Sequence, residues 1–381
     1  MQPLSDTVKA IQPPESIEVA EVANARAREG HDVVNMGWGE PHFETPQPVK
    51  DALTRAVAEG HGNYTDSAGI RPLRERTAQK LREDNGIDAS SDEIIVTPGA
   101  KQAIFITIRT LVNPGDEVLI PEPAWTSYAK MVDLAEAEPV PVPGAPENRF
   151  VPTREQFERA GTDPVAIIVN TPTNPTGAVW SREELTEVAV AARDRDLYVV
   201  ADEVYEHYTF GDHEHHSIAT FDGMAERTVT VNGFSKSHAM TGWRLGYLQG
   251  PSRVRDEALK AQQHLNTCAT SFVQHAGVTA FDEMEHLDDV VDTYRRNRDV
   301  FADTTPFPTV RSEGAFYCLV DVRDWTDDSA AFAKRLLEET DVALTPGRTY
   351  GETATGFLRA SLALNPDRVR TAARRLAEWA D

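Results

Sequence analysis

Short runs of β-branched and aliphatic residues alternate with helical stretches through the middle of this chain, and that alternation limits the possible folds. Residues 165–170 (VAIIVN) and 197–201 (LYVVA) are two such runs, and Ser181 with Glu184 forms a capping box that opens a helix between them. Strands joined through helices predict an α/β fold with a mostly parallel sheet. Further strands are predicted at 93–97, 117–120, 228–231 and 244–248, and helices at 99–111 and 181–195.

The last third of the chain has a different pattern, in which long helices separate isolated strands. Helices are predicted at 282–303, 329–339 and 367–379, and strands at 314–320 and 355–361. The chain contains no low-complexity linker, and the proline-rich segment 143–152 is typical of a loop, not of a domain boundary. We therefore expect a second domain that packs tightly on the first.

Polar clusters follow the predicted strands at their carboxyl ends. In open parallel sheets, ligands bind at that edge. Because one fold explains all of these clusters, their convergence is stronger evidence for a ligand site than any single motif. The clusters begin at Thr97, Pro121, Asn170, Asp202 and Lys236.

The most informative cluster is the segment 233–246 (GFSKSHAMTGWRLG). Lys236 lies among small residues just past a predicted strand, and Arg244 follows eight positions later. A lysine amine placed in this way can form a Schiff base with an aldehyde cofactor. A nearby arginine can bind the phosphate of that cofactor through two charge-assisted hydrogen bonds. The alternative for Lys236 alone is a solvated surface lysine.

This segment resembles the pyridoxal 5′-phosphate (PLP) lysine signature of class I aminotransferases, which are fold-type I PLP enzymes. Nearly the whole length is similar to the aspartate aminotransferase-type subgroup of prokaryotes. The matching segments include Gly39–Phe43 (GEPHF), Tyr64-Thr65, 170–177 (NTPTNPTG), 241–244 (TGWR) and 314–317 (GAFY).

The resemblance implies a fold and a reaction. The fold is a large domain with a seven-stranded, mostly parallel sheet flanked by helices, and a smaller α+β domain built from both chain ends. We place an N-terminal arm and part of the small domain at 1–46, the PLP domain at 47–281 and the small domain at 282–381. The reaction is amino-group transfer between an L-amino acid and a 2-oxo acid, with 2-oxoglutarate the expected acceptor and aspartate a candidate donor.

Several residues are predicted to hold PLP. Lys236 would form the Schiff base and later move the substrate Cα proton, and Asp202 would face the pyridine nitrogen. An isolated aspartate would more simply cap a helix, but Tyr205 three residues later favours the cofactor role. The other predicted contacts are Tyr205 and Asn174 to the phenolic oxygen, Gly99, Ala100, Lys101 and Arg244 to the phosphate, and Trp125 to the ring face.

Other residues are predicted to bind the substrate. Arg359 lies in an otherwise apolar strand and needs an anionic partner, either a substrate carboxylate or an internal acid. Gly39, Trp125 and Asn174 also belong to this set, and Arg109 is a candidate for a distal carboxylate, with a solvated or dimer-interface arginine as the alternative. In the family, a tyrosine matching Tyr64 reaches the phosphate of the neighbouring subunit, which implies a homodimer with shared active sites.

Three positions depart from the family pattern. His42 replaces the aspartate of G-E-P-D-F, which makes the substrate preference harder to predict. Thr173 replaces an asparagine beside Asn174. Gly233 stands where many relatives carry a serine that contacts the phosphate.

Composition narrows the classes of partner. The chain has 381 residues with 38 Lys and Arg against 61 Asp and Glu, a net charge of −23. Such a surface repels nucleic acid and anionic membranes, so we expect neither as a partner. No apolar run approaches membrane-spanning length, and two cysteines without metal-like spacing favour a reducing cytoplasm.

The charge balance also leads to a testable expectation of salt adaptation. Repulsion among so many carboxylates destabilises the folded chain unless counter-ions screen it. We therefore expect the thermal unfolding midpoint to rise between low and molar salt, as measured by circular dichroism. A midpoint that stays constant would mean a merely acidic protein.

Three alternative functions can be distinguished from PLP-dependent transamination. Another PLP reaction on the same scaffold, such as aromatic or alanine transamination, decarboxylation or β-elimination, would differ in its dependence on an added keto acid. A non-catalytic regulator with this fold would usually carry a DNA-binding segment, and the strongly acidic composition of this chain disfavours DNA binding. A metal protein using His213, His215 and His216 lacks the usual ligand spacing, so we interpret these as surface histidines and expect no metal.

Overall fold

The structure is a computed structural model that describes residues 4–11 and 15–381. Its strands are β1 (Val34–Asn35), β2 (Ile94–Thr97), β3 (Glu117–Glu122), β4 (Glu138–Pro143), β5 (Pro164–Asn170), β6 (Tyr198–Asp202), β7 (Thr228–Gly233), β8 (Gly246–Gln249), β9 (Thr309–Val310), β10 (Tyr317–Asp321), β11 (Val342–Ala343), β12 (Thr345–Pro346) and β13 (Phe357–Ser361). Its α-helices are α1 (Asp6–Ala10), α2 (Glu15–Arg28), α3 (Gln47–Ala58), α4 (Arg71–Glu83), α5 (Ala100–Leu111), α6 (Ser127–Leu134), α7 (Arg154–Arg159), α8 (Arg182–Asp194), α9 (Phe234–Ser237), α10 (Ser252–Leu265), α11 (Ser271–Ala280), α12 (His286–Thr304), α13 (Ser329–Thr340) and α14 (Pro366–Ala380).

The main sheet has seven strands in the order β2-β8-β7-β6-β5-β3-β4. Strands β3 to β7 pair in parallel, and β8 is antiparallel to both of its neighbours. The predicted α/β fold with a mostly parallel sheet is confirmed. All six strands predicted in this part of the sequence are present, with small shifts at their ends.

Helices cover both faces of this sheet, which explains its continuous apolar strands. Ile168 and Val200 lie in one core cluster with residues of α5, α6 and α10. Their neighbours Ile167 and Val199 point to the other face, into a cluster that includes residues of α8. With both faces buried, the ends of the strands are the positions from which polar side chains reach a ligand.

A second sheet, antiparallel in the order β12-β13-β10-β9, forms from the last third of the chain. The short strand β1 pairs in parallel with β11, so residues 34–35 join this region. Val34 and Met36 share a core there with residues of α12, α13 and α14. Both chain ends therefore contribute to the smaller unit, while the division at residues 46 and 281 stays a prediction.

The structure contains elements that the pattern of residues did not reveal. Strand β4 alternates with three prolines, Pro139, Pro141 and Pro143, and it forms the edge of the main sheet, where a missing N–H is tolerated. Helices α10 and α11 fill residues 252–280, for which no element was predicted. Within the residues that the structure describes, every helix is too short or too polar to cross a membrane.

Candidate active site

Polar residues from the strand ends meet at one edge of the main sheet. Asp202 is the last residue of β6 and pairs in register with Asn170, the last residue of β5. Lys236 lies on the short helix α9 directly after β7. The parallel register of these strands therefore places Asp202 and the Lys236 helix at the same edge.

The Lys236 amine lies in a partly buried position between the two sheets. Its Nζ donates to the carbonyl of Gly39 at 2.7 Å and lies 5.9 Å from the ring centroid of Tyr205 and 5.7 Å from that of Phe316. Burial lowers the pKa of Lys236 to about 8, although the charges of Glu40 and Asp202 oppose that shift. An amine with this pKa is neutral often enough to act as a nucleophile and a base near neutral pH.

Asp202 is a buried carboxyl group held in one orientation. Its Oδ2 accepts from the Tyr128 hydroxyl at 2.6 Å, and its Oδ1 accepts from the Val204 N–H at 3.3 Å. Burial raises the pKa of Asp202 to about 6, although the hydrogen bond from Tyr128 and the charge of Lys236 lower it. Sequence reasoning missed Tyr128, whose only signal was an aromatic residue in the cluster after β3.

A cup for an anion lies at the N-terminus of α5. Gly99 adopts φ +85°, which favours glycine, and the Arg244 side chain packs closely on it, with Nη2 2.6 Å from where a Cβ would lie. Arg244 donates to the Thr241 carbonyl at 2.8 Å and has no carboxylate partner among the described residues. The N–H groups of Ala100 and Lys101 start the helix without an intrahelical acceptor. These groups together suit a phosphate.

Arg359 is buried on β13 with only 4% of its surface exposed. Its Nη2 donates to the Gly37 carbonyl at 2.6 Å and its Nη1 to Asn174 Oδ1 at 3.1 Å. The guanidinium lies 4.4 Å from the ring centroid of Tyr317 and 4.9 Å from that of Tyr350. Its Nε is buried without a hydrogen-bond partner, and no described carboxylate forms an ion pair with it. The internal salt bridge is therefore not observed, which favours an external carboxylate.

Tyrosine hydroxyls line the space between Lys236 and Arg359. The Tyr205 and Tyr317 hydroxyls lie 3.0 Å apart, and a Cβ on residue 39 would lie 2.0 Å from the Tyr317 hydroxyl. Only glycine therefore fits at Gly39. The Asn174 amide nitrogen makes no hydrogen bond within the described ranges, which leaves it free to donate to a ligand.

Trp125 and Lys101 lie together near the cup. The Lys101 ammonium is 4.8 Å from the Trp125 ring centroid, and Trp125 packs edge-on against Tyr128. Burial and the charge of Arg244 lower the pKa of Lys101. Lys101 forms no ion pair with any described carboxylate. Sequence reasoning used only the backbone of Lys101 and missed this free cation.

Two predicted residues lie away from this cluster in the single chain. The Tyr64 side chain is 85% exposed and lines a surface cleft with Arg71 and His275. Arg109 is exposed near the end of α5 and donates to the Ala135 carbonyl at 3.3 Å. Nine residues at 1.5 Å each put it about 13 Å from the cup along the helix. This position does not support Arg109 as the distal-carboxylate ligand, and that role stays a prediction.

The histidine cluster also differs from expectation. His213 is exposed, but the His215 side chain is only 10% exposed, and its Nε2 lies 3.2 Å from Glu203 Oε2. The interpretation of all three as surface histidines is wrong for His215, because the turn after β6 brings Glu203 against it. Glu203, Glu206 and His215 have ligand atoms within 4.8 Å of one another, but the Lys80 ammonium already binds Glu206 there.

Comparison with known proteins decides the family. A family model described as aminotransferase class I and II matches residues 31–376. The chain belongs to this family. It is 40% identical to an aspartate aminotransferase of Musicola paradisiaca, over 95% of this chain and 93% of that protein. It is also 36% identical to an aromatic-amino-acid aminotransferase of Thermococcus litoralis, over 98% and 97% of the two chains.

Solved structures agree with this assignment. An aspartate aminotransferase from Thermus thermophilus with maleate is 39% identical, covers 99% of this chain and 100% of that chain, and has a TM-score of 0.93. The predicted PLP-dependent aminotransferase, its reaction class and its cofactor are confirmed. The residues present fit PLP, because the cup, the buried carboxyl of Asp202 and the amine of Lys236 offer partners for its phosphate, ring nitrogen and aldehyde.

Proposed function

We propose that this aminotransferase exchanges amino groups between L-aspartate and 2-oxoglutarate. The observation that carries the proposal is two cations that have no carboxylate partner among the described residues: the buried Arg359, and the exposed Lys101 beside Trp125 at the cup. Two such cations match the two carboxylates of a dicarboxylic substrate. The relatives named aspartate aminotransferase, and the maleate bound to the Thermus enzyme, support the same substrate class.

Several of these residues would hold PLP. Arg244 and the first N–H groups of α5 would bind its phosphate, and Asp202 would accept a hydrogen bond from its ring nitrogen. Asn174 and Tyr205 would donate to its phenolic oxygen, and Trp125 would pack on the ring face. Bound PLP supplies an aldehyde that takes up the amino group and a ring that accepts the electron pair left on the substrate Cα.

Lys236 would serve first as the covalent anchor and then as the base. Its amine would leave the Gly39 carbonyl and act as the base that takes the proton from the substrate Cα. Burial, which lowers the pKa of Lys236 to about 8, makes that amine available as a base. The Asp202 carboxylate would lie beside the ring nitrogen and stabilise positive charge there.

Arg359 and Lys101 would orient the substrate. The free Nε and the Nη groups of Arg359 can bind the α-carboxylate, and the nearby Tyr317 and Tyr350 rings restrict the movement of the guanidinium. Lys101, on the first turn of α5, would bind the distal carboxylate.

Replacing Lys101 tests the substrate assignment. We expect Lys101→Ser to raise KM for aspartate and 2-oxoglutarate more than ~10-fold, because one charge-assisted contact is lost. KM for phenylalanine, which has no distal carboxylate, should stay within about twofold. Steady-state kinetics with both donors measures this, and visible absorption checks that PLP is retained.

Arg109→Ser is the matched control, because it removes a cation from the far end of the same helix. It should leave both KM values unchanged. If Arg109→Ser raised KM for aspartate and Lys101→Ser did not, the assignment of Lys101 would be wrong. A preference of the unmodified enzyme for phenylalanine over aspartate would overturn the proposed substrate.

We also propose a homodimer in which Tyr64 completes the site of the neighbouring subunit. The 85% exposure of Tyr64 in the single chain supports this arrangement, since it leaves the side chain available to contact a second subunit.

A further inference from the structure

A buried network of charged and polar side chains lies behind the turns that carry Asp202 and Lys236, and no step of the proposed reaction uses it. We call it the Lys80–Glu206 network. It consists of Lys80, Asn85, Glu203, Glu206, Ser217 and Asn232.

The Glu206 carboxylate is the centre of this network. It accepts hydrogen bonds from the Lys80 ammonium, from Asn85 Nδ2 at 2.7 Å and from Asn232 Nδ2 at 2.6 Å. The Lys80 and Glu206 side chains are only 9% and 6% exposed. The pairing with Lys80, together with charge from His207 and His215, holds the pKa of Glu206 well below its usual range despite burial.

Stability alone is a weak reason to bury such a pair. Removing two charges from water costs several kcal/mol per ion, and apolar replacements of buried pairs are often neutral or stabilising. Buried ion pairs in some proteins instead specify one conformation. A local conformation near the active site is therefore the role to consider for the Lys80–Glu206 network.

Asn232 joins this network to the lysine helix. Its Nδ2 donates to Glu206, and its Oδ1 accepts from the backbone N–H of Gly233 at 2.7 Å. Glu206 directly follows Tyr205 in the turn after β6, and Gly233 directly precedes α9. One asparagine side chain thus ties the turn of Asp202 and Tyr205 to the start of the helix that carries Lys236.

The lysine helix is short and borders a cavity. It has four residues, too few for a helix to be stable by itself. A cavity of about 890 Å³ borders it at Asn232, Gly233, Phe234, Ser237 and His238. Phe234 and His238 are nevertheless buried, and His238 Nε2 lies 2.7 Å from the Ala280 carbonyl, so packing anchors part of α9 and hydrogen bonds at its two ends add to that support. At the far end, the Tyr208 hydroxyl donates to the Lys236 carbonyl at 2.8 Å.

We propose that Asn232, held by the Glu206–Lys80 ion pair, is a positioning residue that fixes the Lys236 amine relative to Asp202 and Tyr205. The inference rests on the proposed role of Lys236 as the amine that reacts with PLP. Asn232 itself would touch neither PLP nor substrate, and would act through the backbone of Gly233.

Asn232→Ala tests this proposal, with Asn297→Ala as the matched control. Asn297 is also a buried asparagine, whose Nδ2 donates to the Leu362 and Leu364 carbonyls in the smaller unit. The first readout is the pKa of Lys236 in PLP-free protein, from competitive labelling with acetic anhydride over a pH series and peptide mapping. The second is the rate at which added PLP develops the absorption of the lysine-bound cofactor.

In Asn232→Ala we expect the pKa of Lys236 to move up from about 8 towards its ordinary value of 10.5, because the loosened helix lets water reach the amine. The rate of PLP attachment should fall by roughly 10-fold or more. Asn297→Ala should lower the unfolding midpoint without changing either readout. Asn232→Ser, a milder change, should move both readouts in the same direction if the alanine variant does not fold.

Two results would overturn the proposal. If Asn232→Ala lowers only the unfolding midpoint, as the control does, then Asn232 supports the fold and nothing more. If borohydride fixes PLP on a different lysine of the unmodified protein, the proposed role of Lys236 fails first. The labelling pKa is measured without PLP, so the two failures are distinguishable.

Discussion

Replacing Lys236 by alanine is expected to abolish amino-group transfer, with a loss on the order of 10⁴-fold or more, because one change removes both the covalent anchor and the proton carrier. Borohydride reduction should no longer fix PLP to the peptide that contains residue 236. The fold should persist, since Lys236 makes one side-chain hydrogen bond, to the Gly39 carbonyl. Stopped assays with aspartate and 2-oxoglutarate, and peptide mapping after reduction, measure these effects.

Lys130→Ala is the control for this experiment. Lys130 lies on α6, close in sequence to Trp125 and Tyr128, but its ammonium pairs with Asp133 at the surface. Its replacement should leave both transfer and labelling unchanged. Transfer at the native rate by Lys236→Ala would contradict the proposed mechanism at its first step.

The same variant tests whether subunits share sites. A subunit with Lys236→Ala still carries Tyr64, and a subunit with Tyr64→Ala still carries Lys236. If Tyr64 acts across a dimer, the mixed dimer holds one intact site, and coexpression of two weak variants should recover about a quarter of native activity. Activity no higher than the average of the two separate variants would mean that each site is built from one chain.

The sequence predicted the location of the site well, because that location follows from short-range patterns. Runs such as 197–201 identify strands, and the residue after a parallel strand lies at the edge where ligands bind. The periodicity of β-branched residues alone therefore predicted the sheet edge at which Asp202 and Lys236 lie. The cofactor, in contrast, was predicted only from the resemblance to a family.

Partners supplied by distant elements were not predictable in this way. Tyr128 contacts Asp202 across 74 positions of sequence, and Arg359 is held by Gly37 and Asn174. Such contacts depend on how helices and sheets pack, which no local pattern encodes. His215 was misjudged for the same reason, since Glu203 reaches it only through the folded turn.

One missed element had a local cause. Strand β4 was missed because prolines weaken a strand pattern, and only its place at the sheet edge makes them tolerable. For the candidate Arg109, the helical rise of 1.5 Å per residue gives a separation of about 13 Å from the first residue of α5. That separation follows from the sequence, because the helix itself was predicted.

Asp202→Asn should raise the unfolding temperature of the PLP-free protein at pH 7.5 and lower the activity of the enzyme. The pKa of Asp202 is raised to about 6 from 3.8, chiefly by burial, so the folded state binds this proton more tightly than the unfolded state does. Its contribution to stability is therefore fully present below pH 3.8 and is lost as pH rises through about 6. In PLP-free protein at pH 7.5, asparagine avoids this penalty, which is at most about 3 kcal/mol. The variant should unfold at a higher temperature than the native chain at pH 7.5 and at a similar one near pH 4.

Activity should change in the opposite direction. Without a carboxylate beside the ring nitrogen, transfer should slow on the order of 10³-fold, and PLP should be retained less well. In the native protein, PLP affinity should weaken as pH falls below about 6, because a protonated Asp202 no longer attracts the ring N–H. The variant should lose that pH dependence. Calorimetry of PLP-free protein and PLP titrations at several pH values measure both effects.

Asp341→Asn provides a control of opposite sign. Burial opposes the shift, but hydrogen bonds from Arg26 and His31 lower the pKa of Asp341, so its charge stabilises the folded state above pH 4. Asp341 also adopts a left-handed conformation, φ 54°, which asparagine accepts. At pH 7.5 this variant should therefore unfold at a lower temperature, with native activity. If both variants lowered the unfolding temperature, the burial penalty at Asp202 would be absent. The carboxyl group would then be stabilised by Tyr128 and Lys236 before any cofactor binds.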